Sequence, residues 1–401
     1  MALLNFTIDL DNLKDTVMNS NMESVVKSTI VLVLNEYMEK ERDDYLKAES
    51  YERSEDRVDY RNGYYERDYT ISVGRITLKV PRTRQGEFSP SVFERYARCE
   101  QALVVSMLEM VVNGVSTRKV TNIVEQLCGE SVSKSFVSSL TAKLDPIVKE
   151  WAERPLNTTY YPYLFVDAMY IKVREHHRVV SKAVYIAIAI SETGYREILG
   201  MKVDHNESYE SWANFLQSLI SRGLQSPKLV TSDAHKGLKK AIQEKLLGTA
   251  WQRCTVHFRR NIVDCFPKKD CDEARSLLNS IFAAEDVDTI RRLKDLFFDK
   301  YSEEKRFEKA LTILDDGFDD AIQNLNFPLR HRKFIRSTNH LERLNQEVRR
   351  REQVIRIFPN TQSAFRLIGA VLMSYTKGNK GWERNVFGQS AGSQKQQDAQ
   401  V

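Results

Sequence analysis

What the 401-residue chain lacks narrows the possibilities first. No apolar run approaches the ~20 residues that a membrane-spanning helix needs. The longest, near Ile30 to Leu34, is interrupted upstream by Lys27. Met1 leads into an amphipathic, acid-bearing segment instead of a basic stretch with an apolar core, so no secretory signal is expected. Cysteine is scarce, and the five present (Cys99, Cys128, Cys254, Cys265, Cys271) are an odd number for a disulfide framework. They read as reduced thiols of a cytoplasmic protein. Neither sign of charge dominates: 60 Lys+Arg against 55 Asp+Glu give a net +5, which suits an anionic partner without demanding one. No internal repeat is visible. What remains, 42% hydrophobic and 29% charged residues, is an ordinary soluble composition on a chain long enough for two or three cores.

Changes of texture divide the chain. Residues 1 to about 50 show helical periodicity, and the run Glu39-Lys40-Glu41-Arg42-Asp43-Asp44 reads as a solvated helix face. Between Tyr64 and Arg84, two alternating runs, RDYTISV and ITLKVPR, predict a β-hairpin turning at Gly74-Arg75. A second helical block runs from near Phe93 to near Asp145. Within it, residues 116–144 predict a helix, a short turn and a second helix. Val120, Ile123, Val124 and Leu127 face inward on the first, which Gly129 closes. Val137, Leu140 and Leu144 face inward on the second. Ser133, Lys134, Ser135 and Ser138 then lie near the second helix's start, where a recognition helix meets base edges. Helix pairs of this shape are also common in plain helical domains.

From Tyr160 the grammar changes to strands: 163–173, 179–190 and 196–203, with Thr193-Gly194 as the turn between the second and third. A helix follows, with Trp212, Phe215, Leu216 and Leu219 at i, i+3, i+4, i+7. Then come a strand at 228–233, a Lys-rich helix and a fifth strand at 250–258. Three strands in meander followed by helix, strand, helix and strand predict a mixed sheet covered by helices. That order is the ribonuclease-H-like one, in which the first and fourth strands are neighbours. Asp167 on the first and Asp233 at the end of the fourth both follow apolar residues, Phe165-Val166 and Leu229-Val230, so each carboxylate would be anchored in a core.

Paired carboxylates suit hard divalent cations, which activate an attacking oxygen and stabilise a leaving one in phosphodiester chemistry. A third acid must come from elsewhere. Residues 336–352, RSTNHLERLNQEVRRRE, predict a helix capped by Thr338 or Asn339, with Leu341, Leu344 and Val348 as its apolar stripe. Glu342 lies beside that stripe in the first turn, which favours it over its rivals Glu347 and Glu352.

These motifs resemble those of Mutator-type transposases of the bacterial insertion-sequence branch. The matching stretches are VDAMYIKVRE, TSDAHKGLKKAI, WQRCTVHFRRN and STNHLERLN, in that order, with YRNGYYERDYTISVGRITLKVPRTRQGEF and GVSTRKV upstream. Ser337 stands where that family often has Thr. The resemblance implies an Asp-Asp-Glu transposase in which Asp167, Asp233 and Glu342 hold two Mg²⁺ ions, Mn²⁺ being an alternative. It implies double-stranded DNA partners (the element's terminal inverted repeats and a target), a homodimer or larger assembly on paired ends, and a bacterial cytoplasmic, nucleoid-associated setting. The helix pair becomes the expected repeat reader. A silent DNA-binding regulator and a nuclease without strand transfer are the alternatives.

The expected organisation is an N-terminal helical region with a hairpin (1–92), a helix-turn-helix-like DNA-binding domain (93–150), the first part of an α/β ribonuclease-H-like core (155–258), an all-α insertion (259–335), the rest of the core (336–387) and a disordered tail (388–401). More than a hundred residues between Asp233 and Glu342 are too many for a loop, hence the insertion. Arg259, Arg260, Lys268, Lys269 and the triplet Arg349-Arg350-Arg351 are candidate phosphate contacts. Cys254 and His257, with Cys265 and Cys271, invite a zinc reading, but the spacing is not a common one. The resemblance offers a supporting role near the site for Cys254 and His257, and Asn339 joins them as a neighbour of Glu342.

Overall fold

A computed structural model describes residues 22–52, 56–71, 74–93, 101–128, 132–268, 270–378, 382 and 385–387. Cys99, Gly129, Lys269 and the expected tail lie outside these. The chain divides into two compact units, Met1–Thr141 and Ala142–Val401.

In the first unit, helix α1 (Met22–Leu46) is followed by the hairpin β1 (Arg61–Ile71) and β2 (Gly74–Thr83). Ile71 pairs with Gly74, so the connection is residues 72–73 and the expected turn at Gly74-Arg75 is displaced. Gly74 instead opens β2 at φ 115°, a backbone setting that only glycine adopts cheaply. Strand β2 alternates as the period-2 pattern requires. Ile76, Leu78 and Val80 are buried in a cluster that includes Met38 of α1. Helices α2 (Gln101–Val112), α3 (Thr117–Cys128) and α4 (Lys134–Thr141) share a core of Met107, Val120, Val124, Val137 and Leu140. The Ser133 hydroxyl accepts from the Phe136 N–H at the start of α4. Leu144 is not on this helix, contrary to expectation. It begins α5 (Leu144–Glu153) because Pro146 is tolerated in a first turn but not inside a continuing helix.

The second unit carries the five-stranded mixed sheet. Its strands are β3 (Tyr163–Glu175), β4 (Arg178–Ile190), β5 (Arg196–Asp204), β6 (Leu229–Ser232) and β7 (Ala250–Arg253), in spatial order β5-β4-β3-β6-β7. The first three form an antiparallel meander, and β6 and β7 add in parallel. Helices α6 (Tyr209–Ser221) and α7 (Lys236–Lys245) cover one face. There Leu164, Val166, Tyr185 and Ala187 meet Trp212, Phe215 and Leu238. Tyr185 and Trp212 pack edge to face, with ring centroids 4.5 Å apart.

The fifth strand is shorter than expected. It stops at Arg253, and residues 255–263 form helix α8 (Thr255–Val263). The last ladder bond, Cys254 N–H to Ser232 O at 2.8 Å, is followed directly by the first helical bond, Phe258 N–H to Cys254 O. TVHF is a short apolar, β-branched run that period alone does not assign. The following helices α9 (Cys271–Ala283), α10 (Val287–Tyr301), α11 (Glu308–Ala321) and α12 (Leu329–Ile335) gather around their own aromatic core of Phe258, Phe282, Phe297, Phe307 and Phe318. The chain then returns through α13 (Asn339–Ile355) to α14 (Thr361–Gly378).

Candidate active site

Side chains alternate across a strand, so Val166 points into the α6–α7 core and Asp167 points to the opposite face. Helix α13 covers that face. Its buried Leu341, Leu344 and Val348 set the rotation of the helix, and the His340 ring stands edge-on to Phe165. The same rotation brings Asn345 to Asp167, where its amide Nδ2 donates to Oδ2 at 2.8 Å. The Ala168 N–H donates to the other carboxylate oxygen at 2.9 Å. Burial, reinforced by the negative charge of Asp233, pushes the Asp167 carboxyl up to about 7, against the opposing pull of the Ala168 N–H and of His257.

Asp233 immediately follows β6, whose four residues are all buried. His257 occupies the first turn of α8 and meets two carboxylates at once. Its Nδ1 contacts Asp233 Oδ1, and its Nε2 lies 3.2 Å from Glu342 Oε1. Contact with Asp233 first, then with the Cys254 sulfur, raises the imidazole to about 10 despite its burial. Burial pushes the Cys254 thiol up. Hydrogen bonds from His257 and Thr338 outweigh it, and the thiol sits below its ordinary value.

Thr338 precedes α13 but does not cap it through its side chain. Its N–H and hydroxyl both reach the Cys254 sulfur, at 3.4 and 3.3 Å. Asn339 is exposed and does not cap either. The Thr338 hydroxyl is buried and turned to the Cys254 sulfur instead of the helix start.

Three of the sequence candidates therefore meet: Asp233 and Glu342 through His257, and Asp167, held by Asn345, close enough to Asp233 to feel its negative charge. Asn345 was not among the sequence candidates. Its signal was present, an amide three residues after Glu342 on the same helix face. The ligand-type atoms of Asp233, Cys254 and His257 lie within 4.8 Å of one another. Cys265 and Cys271 do not join them, because their thiols donate to carbonyls near the α8–α9 connection and pack against the aromatic core of α8 to α11.

The donor chemistry fits a hard divalent cation. Asp233 Oδ1, Glu342 Oε1 and Asn345 Oδ1 are buried oxygens without a well-aligned hydrogen bond, so the His257 contacts with both acids are charge contacts of poor angle. Buried oxygens left this way are uncommon, and oxygen is what Mg²⁺ prefers.

The other candidates fall in three places. Lys134, Ser135 and Ser138 are exposed on α4. Arg260 is exposed, whereas Arg259 is half-buried, bonded to the Thr255 carbonyl and the Asn279 side chain. In the triplet, Arg350 and Arg351 both pair with Glu347, and Arg349 is exposed.

Residues 1–382 match the family model described as Transposase, Mutator family. The chain belongs to this family. Its relatives include the transposase for insertion sequence element IS256 in transposon Tn4001 of Staphylococcus aureus, 51% identical over 373 residues, covering 93% of this chain and 95% of the relative. The transposase for ISRM5 of Rhizobium meliloti is 42% identical over 86% of each chain. That for IS1081 of Mycobacterium tuberculosis is 39% identical over 80% of this chain and 77% of the relative. In this member of the Mutator family, no helix among the described residues is long and apolar enough to cross a membrane.

Proposed function

We propose that this Mutator-family transposase is an Asp-Asp-Glu enzyme on a ribonuclease-H-like core, acting on the terminal inverted repeats of its own element and joining them to target DNA. The observation that carries the reading is the convergence of Asp167, Asp233 and Glu342 from β3, β6 and α13, with His257 touching two of them. The sheet order β5-β4-β3-β6-β7 supports it, since it makes β3 and β6 parallel neighbours.

Asp167, Asp233 and Glu342 would hold two Mg²⁺ ions, with Mn²⁺ as a substitute. Bound there, the ions would activate the attacking oxygen and stabilise the leaving one. The chain's own residues do the rest. Asn345 fixes the Asp167 carboxylate through one oxygen and leaves the other to the Ala168 N–H. His257 keeps Asp233 and Glu342 from repelling each other apart. Cys254 and Thr338 fix the start of α13, and with it Glu342.

The exposed N-terminal end of α4 is the reader of the repeats in this proposal, with Lys134 on phosphate and Ser135 and Ser138 on base edges. Two copies would act on paired ends. The test is a joining assay with labelled terminal-repeat DNA, a target plasmid and Mg²⁺. Joined product that disappears in Asp167→Asn supports the reading, cutting without joining would make the protein a nuclease, and binding alone would make it a regulator.

A further inference from the structure

Helix α12 and the residue after it, Arg336, carry positive charge that the protein does not neutralise. Arg332 donates from Nε to the Phe327 carbonyl at 2.8 Å and from Nη1 to the Glu285 carbonyl. Arg336 donates from Nη1 to the Phe282 carbonyl at 3.0 Å. Lys333 is exposed. Among the described residues none of the three is in an ion pair, in contrast with Arg350 and Arg351, which share Glu347. Backbone carbonyls thus fix both guanidinium groups without cancelling their charge, and each keeps free donors of its five.

These side chains line one side of a cavity of about 240 Å³, together with Thr255, Asn324 and a single acid, Glu285, and the rest of its wall is apolar, with Phe282, Ile290 and Leu325. At ~30 Å³ per water the space holds about eight waters. Its cationic side, not its volume, is what suits it to an anion. Arg259 adds to the field. Its burial and the positive charge of Arg336 together hold its guanidinium below the ordinary value.

The pocket is tied to the acid site by hydrogen bonds. Thr231, two residues before Asp233, donates from its hydroxyl to the Ile335 carbonyl at 2.6 Å. Thr255, two residues before His257, donates to the Arg336 carbonyl through its N–H at 3.0 Å and its hydroxyl at 3.1 Å. The strand and helix that present Asp233 and His257 therefore also fix where Arg336 stands.

We infer that the cavity of Arg332, Lys333 and Arg336 is a phosphate pocket that grips the backbone of the DNA strand brought to Asp167, Asp233 and Glu342. Guanidinium groups fixed in advance lose little entropy when they meet a phosphate. The inference rests on the DNA-joining reading above, and it moves the phosphate contacts from the Arg349–Arg351 triplet to α12.

The test uses the full chain and a labelled 30-bp duplex, without divalent metal, over a salt series. Phosphate contacts are independent of sequence, and each contributes about 0.9 to the slope of log affinity against log salt. Lys333→Ala leaves every backbone contact of the pocket in place and should lower affinity a few-fold. The double variant Lys333→Ala/Arg336→Gln should lower it about tenfold or more and reduce the slope by about 1 to 2. Arg336→Lys should recover part of the loss, while Arg350→Gln should leave the slope nearly as it was.

An unchanged slope in the folded double variant would overturn the inference, as would an equal loss from Arg350→Gln, which would mark bulk charge. A pocket for free phosphate would show as phosphate-dependent thermal stabilisation lost in Lys333→Ala with the DNA slope intact, and that too would overturn it. Asp167→Asn should bind DNA like wild type and fail to join it. Its failure to lose joining would sink the reading of the acids while leaving the pocket result standing.

Discussion

The two sides of the five-stranded sheet are built to different ends. On one side, β3 and β4 are 13 residues each, and their ladder runs unbroken from Tyr163–Ile190 to Glu175–Arg178. On the other, β6 and β7 are four residues each, and β6 pairs with β3 only from Tyr163 to Phe165. Asp167 lies two residues beyond the last of those pairs. The meander is antiparallel, the more stable pairing per residue, and only its β4–β5 ladder is interrupted, between Ala187 and Ile188. The parallel side breaks off as soon as it has delivered Asp233 and Cys254. The long ladder and the proposed chemistry thus lie on either side of a single strand, β3, which carries Asp167.

The sharpest way to break that separation is at the acids. Asp167→Asn, Asp233→Asn and Glu342→Gln should each reduce strand joining by on the order of 10³-fold or more, the scale reached when a group facing transition-state charge is removed. Chemical denaturation should show little change. If these variants unfold instead, the parallel side is structural after all.

The converse test lies against the meander. Trp212 is fully buried on Tyr185, and Trp212→Ala should destabilise the second unit by about 3–5 kcal/mol. Urea titration measures it, and the fraction that remains folded should join DNA at the wild-type rate per molecule.

Smaller effects belong to the residues between. Asn345→Ala and His257→Asn remove supports of the acids and should each lower joining by roughly 10–100-fold. The Mg²⁺ concentration giving half-maximal rate should rise in both, with melting temperature nearly unchanged. A loss that tracked melting temperature alone would make these residues ordinary packing.

The least effect is expected on the far side of β5, where Asp145 of α5 accepts two hydrogen bonds from Arg366 of α14, at 2.6 and 2.8 Å. The Arg366 hydrogen bonds hold the Asp145 carboxyl below its usual range, against burial. A depressed folded value means that its contribution is complete above the unfolded pKa of ~3.9 and is lost as pH falls through the folded one. Asp145→Asn should therefore be less stable than wild type by about 1.5 kcal/mol at neutral pH, and the gap should close below about pH 4. A gap that persisted at pH 2 would mean packing, not charge.

Much of this was readable from the residues. The meander strands fall within two residues of their predicted ends because alternation and apolar runs are strong signals there. Asp167, Asp233 and Glu342 could be nominated as candidates because strand order and a helix stripe both constrain where they stand. What was not legible depends on tertiary competition. Thr338 looks like a helix cap, but a buried sulfur 84 residues earlier in the chain takes its hydroxyl. His257 looks like part of a strand, but the ladder ends at Cys254 and the helix begins. The triplet Arg349–Arg351 draws the eye as charge, yet only contacts reveal that Glu347 answers two of the three.

The hydrogen bond from Thr255 N–H to the Arg336 carbonyl has one more consequence. The chain leaves the sheet at one end of that bond and comes back at the other, so everything between is a closed loop whose two ends touch. Closure entropy grows only with the logarithm of loop length, and doubling the loop adds about 0.6 kcal/mol. The helices in this loop also have an aromatic core of their own. In thermodynamic terms the outer part of the block can change length at little expense to Asp233 and Glu342, provided that this junction, the Thr231 bond to the Ile335 carbonyl and the Gln252 bonds to Ala321 and Asn324 are kept.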